Sequence, residues 1–307
     1  MQFRQLRYFV KIVDAGSFSR AAAIIHVAQP ALSQQIAELE ERFGVSLLLR
    51  SARGVRPTPA GEVLYQEATS ILRQIEQLPG IIRSTSGEID GPVSLGLAST
   101  IAAMMAASFI EACRSELPKV ALRYSDVDSE ALKSRVESGS LDMAVVFEDE
   151  LTVNFFRKPL FRQRLYLMQA LPSPLAADSI SLAQLAELPL ILPGQPNDRR
   201  GLIDRAFSRA SLKPNIIADV DSLHTELSMV RQGMGSTILP TGNKPDLYGD
   251  GFAEPVLVEP ALVMTCSIIS SADFPLTRAG EALRNLLIKF IEDRMRRPDV
   301  RGVEWIR

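Results

Sequence analysis

The sequence predicts three parts in order: a small winged helix-turn-helix, one long linker helix, and a two-lobed α/β body. Three observations carry that expectation. Residues 17–43, SFSRAAAIIHVAQPALSQQIAELEERF, read as two short helices joined by a tight turn. Beyond Pro92 the texture changes to strands alternating with helices, the βαβ rhythm of a parallel sheet with right-handed crossovers. Charge is placed unevenly: residues 1–60 hold eight Lys/Arg against four acids, +4, while the 307-residue chain carries −2 and therefore −6 beyond them. A basic module on an acidic body is what a local phosphate-binding surface requires.

Leu6, Phe9, Val10 and Val13 share one face of a first helix, which packs beneath the helix pair. Gly16-Ser17 ends that helix and caps the next, Phe18 to Ile25. The following helix opens at Pro30, which suits a first helical position because its missing N–H has no partner there. Leu32, Ile36, Leu39 and Phe43 fall on its inner face, and Gln29, Ser33 and Gln34 on the outer one. Amides and hydroxyls on an exposed helix can hydrogen-bond base edges, as a reader helix does; the same pattern also suits an ordinary helix pair with a solvated face. Gly44 stops the helix. Val45–Leu49 reads as a short strand and 49–57 as a basic loop with Arg50, Arg53 and Arg56. Strand, turn and return make a wing whose arginines could reach phosphate or a narrow minor groove, or else a solvated hairpin.

Thr58-Pro59 starts a long helix. Leu64, Ala68, Ile71, Ile75, Leu78 and Ile82 follow 4-3-4-3-4 spacing, an apolar seam suited to a second copy of the chain or to the helix's own domain. Pro79 removes the bond to the Ile75 carbonyl and is expected to kink or end the helix. The boundaries expected are 1–58 for the winged helix-turn-helix, 59–91 for the linker and hinge, and 92–307 for the body. In the body, strands are expected at 93–98, 120–125, 141–147, 165–170, 190–192, 216–220, 236–239 and 263–270. Helices are expected at 101–114, 130–138, 182–188, 202–210, 225–232 and 276–295. Two similar rounds suggest two lobes with a cleft between them. The charged tail 296–307 is expected to be mobile.

Several classes are disfavoured. The longest apolar run, around Ile101–Ile110, is too short to span a bilayer, and residues 1–10 lack an export signal, so a cytoplasmic protein without a membrane partner is expected. Cys113 and Cys266 sit in apolar surroundings and read as inert thiols rather than metal ligands. No P-loop, nucleophile elbow, zinc motif or dinucleotide fingerprint is present, and the two histidines, His26 and His224, have no catalytic partner in sequence, so no enzyme and no cofactor are expected. A solute-binding protein would share the two lobes but not the basic N-terminal end.

The segments LRYFVKIVDAGSFSRAA, QPALSQQIAELEERFGVSLLLR and RGVRPTPAGEVL resemble LysR-type transcriptional regulators. GPVSLGLAST, ESGSLDMAVVF and GMGSTILP continue that resemblance over nearly the whole chain. It implies a winged helix-turn-helix, a dimerising linker helix using Leu64, Ala68, Ile71, Ile75 and Leu78, and a sensor of the type 2 periplasmic-binding-protein kind. It implies a homodimer or homotetramer that binds double-stranded promoter DNA, meets RNA polymerase, and takes a small-molecule inducer between the lobes. Gln29, Pro30, Ser33 and Gln34 match reader positions, and Arg50 and Arg53 match the wing. For the effector, Ser99, Thr100 and Ser129 stand where strands hand over to helices, Phe147 ends a strand, Arg199 could pair with a carboxylate, and His224 follows a strand. Each has an alternative as a helix cap or surface group. Within that family the sequence is similar to the branch that controls nitrogen assimilation, where members work without a small inducer; that resemblance implies a vestigial pocket.

Overall fold

Gly16 and Gly44 set the first corners of the chain. In this computed structural model all residues are described except 52–53, 84–88, 150–154, 173–176, 242, 244–250 and 307, and the side chains of residues 80 and 83. The described chain forms two units, Met1–Ile82 with Ser138–Ser140, and Arg83–Glu137 with Leu141–Arg307.

In the first unit, α1 (Phe3–Ala15) ends at Gly16, which adopts a left-handed φ of 59°. The Ser17 side chain then accepts the Arg20 N–H and starts α2 (Phe18–Ile24). Helix α3 (Gln29–Phe43) begins one residue earlier than expected, with Ala28 as its N-cap and Pro30 inside the first turn, and stops at left-handed Gly44. Phe9, Ile12, Phe18, Ala21, Leu32, Ile36 and Leu39 close over one core. The wing is β1 (Leu48–Ser51) paired antiparallel with β2 (Gly54–Pro57), Arg50 standing opposite Val55. It starts later than Val45 because the Glu40 carboxylate accepts the N–H groups of Leu47 and Leu48 at 2.7 and 3.2 Å and holds that stretch in a turn. Val55 N–H donates to the Gly16 carbonyl at 2.9 Å. Gly54 has φ 119°, and a Cβ there would lie 2.7 Å from the same carbonyl oxygen, so only glycine lets the wing dock on this corner.

Helix α4 (Pro59–Arg83) continues through Pro79. The expected break does not occur: Pro79 forfeits a single bond on an exposed face, where water can serve the Ile75 carbonyl. The seam divides in two. Ala68 is fully buried against Leu6 and Val10, with Leu64 packed beside them. These two expected dimer positions are thus already covered by α1. Ile71, Ile75, Leu78 and Ile82 are 38, 42, 49 and 67 % exposed in the single chain.

The second unit runs β3 (Gly91–Ala98), α5 (Ser99–Glu116), β4 (Val120–Val127), α6 (Ser129–Glu137), β5 (Met143–Glu148) and β6 (Phe155–Arg164). It continues β7 (Tyr166–Met168), β8 (Ser179–Ser181), α7 (Leu182–Ala186), β9 (Leu190–Leu192), α8 (Asp198–Arg209), β10 (Ile216–Asp219), α9 (Leu223–Arg231), β11 (Thr237–Leu239) and β12 (Val256–Glu259). It closes with β13 (Val263–Ser271), α10 (Arg278–Met295) and β14 (Val303–Trp305). One lobe is a six-stranded sheet, order β14-β6-β13-β5-β3-β4. The other combines the sheet β11-β7-β12-β8 with the parallel pair β10-β9. The first sheet is mixed rather than parallel, because the chain leaves for the second lobe after β6 and returns along β13, antiparallel to both β5 and β6. At the two crossings the Leu165 N–H donates to the Leu262 carbonyl at 2.8 Å and the Leu165 carbonyl accepts the Val258 N–H at 3.3 Å, which makes a two-stranded hinge.

Four strands were not expected. β8 is three residues leading into α7. β6, FFRKPLFRQR, contains Pro159, which ordinarily argues against a strand. A bulge accommodates it: Cys266 faces Phe161 and Ser267 faces Pro159, leaving Leu160 as the extra residue. β12 is four residues between two prolines. β14 lies in the tail expected to be mobile; it pairs with β6, and the Arg296 guanidinium lies 4.5 Å over the Trp305 ring. Among the described residues no helix is long and apolar enough to cross a membrane.

Candidate DNA interface and effector cleft

Gln29, Pro30 and Gln34 are exposed along α3, and Ser33 is half-buried beside them. Ser19 Oγ donates to Gln29 Oε1 at 3.3 Å, and Gln34 Nε2 donates to Glu38 Oε1 at 3.2 Å, so both amides are oriented before any ligand arrives. Arg50 Nη1 donates to Ser33 Oγ at 3.2 Å, and its guanidinium stacks 4.2 Å over the Phe18 ring. The reader helix and the wing therefore meet in one polar, basic surface. Arg56 is exposed on β2. Arg53 lies outside the described residues. Sequence reasoning missed Ser19 and Phe18, whose spacing shows them only as the first turn of α2. Long amide and guanidinium side chains here can reach base edges and phosphate oxygens.

In the second unit, Ser99, Thr100, Ser129, Phe147 and Arg199 converge on one cleft of about 60 Å³. His224 is not among them: it is exposed on α9 and lines, with Tyr124 and Asp126, an adjoining groove that shares Ser99, Asp128, Asp221 and Leu223 with the cleft. His224 is the second residue of α9, and Leu223 and Glu226 of the same helix take the places facing the cleft.

Four helices begin at the cleft, and three carry side-chain caps. Asp128 Oδ1 accepts Ala131 N–H at 2.9 Å for α6. Asn197 serves α8 and Ser222 serves α9. Ala98 precedes α5 with no side-chain bond, which leaves the first-turn N–H groups around Ser99 and Thr100 without a side-chain cap. Ser129 Oγ accepts Phe147 N–H at 3.1 Å and ties α6 to β5 at the cleft wall.

Arg199 is committed too. Its guanidinium donates to both Glu226 carboxylate oxygens at 3.0 and 2.8 Å and to the Ile238 carbonyl at 3.0 Å. The two side chains are 12 and 1 % exposed, and Thr237 Oγ1 also donates to Glu226. Arg199, expected to pair with a carboxylate, already has one in Glu226 of α9. Asp128, Asp198, Asp221 and Glu226 line the cleft with that single paired arginine, so its walls disfavour an added anion. The acids at helix starts complement the helix dipoles. Beside them Lys133 Nζ donates to Asp198 at 2.6 Å and to Glu130 at 2.7 Å. Burial would lower the Lys133 pKa, but the two carboxylates outweigh it and hold it above the ordinary lysine value.

A winged helix-turn-helix with outward amides, carried on the same chain as a two-lobed sensor, defines a transcriptional regulator that combines DNA reading and sensing. The chain belongs to the LysR family: residues 3–62 match the bacterial regulatory helix-turn-helix protein, lysR family, and residues 86–291 match the LysR substrate binding domain. It is a DNA-binding LysR-type transcriptional regulator with a C-terminal effector-binding domain. It is 35% identical over 294 residues, 95% of each chain, to the nitrogen assimilation regulatory protein Nac of Klebsiella aerogenes. The fold resembles a full-length OxyR variant from Pseudomonas aeruginosa, with TM-score 0.65 and 26% identity over 94% of this chain and 98% of that one. It also resembles full-length CbnR in complex with its target DNA, with TM-score 0.66 and 20% identity over 96% of this chain and all of that one, a likeness of fold alone.

Proposed function

We propose that this protein reads promoter DNA with the exposed edge of α3, using Gln29, Pro30, Ser33 and Gln34, and grips phosphate with Arg50 and Arg53 of the wing. Residues 1–58 act as the reading domain, 59–91 as linker and hinge, and 92–307 as the sensor. The exposed half of α4 pairs two copies, and the pair sets two reader helices in successive major grooves, roughly 10 base pairs apart or a multiple. The protein works in the cytoplasm, beside RNA polymerase, and is not an enzyme. The observation that carries the reading is the Arg50–Ser33 contact, which makes helix and wing one surface. Fluorescence anisotropy with the promoter fragment beside its own gene tests it. Binding stronger than to a scrambled fragment of equal length, at the same salt, supports the reading; equal affinity for both refutes it.

A further inference from the structure

The two sensor lobes are joined by ion pairs that run in both directions. Lys133 on α6, in the lobe of the six-stranded sheet, reaches across to Asp198 at the start of α8 at 2.6 Å. Arg205 on α8 reaches back to Asp149, just beyond β5. Asp198 and Arg205 are seven residues apart, two turns of one helix, so both lie on the α8 face turned to the other lobe. The Lys133 side chain is 9 % exposed and has a second carboxylate at Glu130, with a third, Glu148, at 4.0 Å. Glu148 is itself fully buried and held by Arg157 at 2.8 and 2.9 Å, so the negative side of the arrangement is fixed in place. A charge desolvated on this scale is retained only with its partners in position. The cleft beside the pairs measures about 60 Å³, and its arginine is paired with Glu226.

We infer that Lys133–Asp198 and Arg205–Asp149 latch the lobes together, so that the sensor takes its closed arrangement with no small molecule in the cleft. The latch does with built-in counter-ions what an effector bridging the lobes would do: it favours one of two arrangements by interacting with it better than with the other. An effector that opened the sensor would have to outcompete both pairs. The consequence for DNA rests on the regulator reading above; the latch itself does not.

The test places nitroxide labels at Lys289→Cys on α10 and Lys213→Cys in the other lobe of the full chain, diluted with unlabelled protein so that only distances within one copy are read. Both positions are exposed. Pulsed electron resonance on the parent should give one narrow distance. Lys133→Met should move it to longer, broader distances; Asp198→Asn should give the same shift, and the two together no more than either. Arg205→Gln and Asp149→Asn form a second pair in which Arg205 is 44 % exposed, so folding is not at stake if Lys133→Met misfolds. Distances that match the parent in every folded variant of both pairs would overturn the latch. Promoter binding is measured on the same samples: a parent that fails to bind sinks the regulator reading and leaves the latch to the distances.

Discussion

Arg50 Nη1 stands 3.2 Å from Ser33 Oγ, a hydrogen bond that ties the wing to the reader helix before DNA is present. The same guanidinium stacks on Phe18, so α2, α3 and β1 share one side chain. Arg50→Ala should weaken binding to every sequence and lower the slope of log affinity against log salt by about one unit. Arg50→Lys keeps the charge but loses the planar fork, and should recover the slope without the full affinity. An unchanged slope in Arg50→Ala would show that the wing stays in solvent.

Gln29 makes the contrasting case. Its amide is exposed and, among the described residues, oriented by Ser19 alone. Gln29→Ala should cost about 1–3 kcal/mol at the cognate site and leave binding to random DNA nearly unchanged. Equal losses on both, read in parallel anisotropy titrations, would assign Gln29 to phosphate or to nothing.

On α4, burial separates two kinds of seam residue. Ile75 is 42 % exposed in the single chain, while Ala68 is fully buried under α1. Ile75→Asp should abolish the dimer in sedimentation while leaving each copy folded, since it puts a charge into a dry interface. Ala68→Asp should instead unfold the first unit and lower its melting temperature. A dimer that survives Ile75→Asp would move the interface away from this helix.

These contrasts show where the sequence was legible. Strong local signals, the Gly16-Ser17 corner and the spacing of Leu32, Ile36 and Leu39, placed the reading module closely, because capping and one-sided burial are decided within a few residues. The 4-3-4 seam could not reveal that its first two members face α1, since that depends on how a distant helix packs. Of the sensor's site residues, Ser99, Thr100, Ser129, Phe147 and Arg199 line one cleft and His224 does not, and their hydrogen-bond partners could not be read from the sequence. Helix starts were placed late: α8 begins at Asp198 rather than Leu202, because Asp-Arg-Arg-Gly reads as a polar loop. That error hid the acids at the cleft, including the partner of Lys133. β6 was hidden by Pro159, whose bulge is visible only against β13.

Both thiols should be inert in the native protein. Burial pushes the Cys113 thiol up to about 11, helped by Glu116, and pushes fully buried Cys266 higher still, helped by Glu148. The thiolate is the reactive form, so at pH 8 almost none is present. Iodoacetamide followed by mass spectrometry should modify neither cysteine in native protein and both in denaturant. Rapid native labelling of either would mean that its element opens readily.

The Arg199–Glu226 pair separates a structural arginine from an effector-binding one. Glu226 is 1 % exposed and accepts two bonds from Arg199 and one from Thr237. Arg199→Ala strands that carboxylate in a dry site, and removing one partner of such a pair costs about 3–5 kcal/mol. The loss should be read as a lower denaturation midpoint of the full chain in urea. Arg199→Met combined with Glu226→Leu removes both charges and should be more stable than Arg199→Ala alone, because no unpaired ion remains. An arginine held ready for an anionic effector would behave differently. Its removal would relieve an unpaired buried cation, leaving stability unchanged or raised, and would abolish stabilisation by carboxylates. A midpoint that does not fall in Arg199→Ala would therefore return Arg199 to the effector site and reopen the cleft to anions.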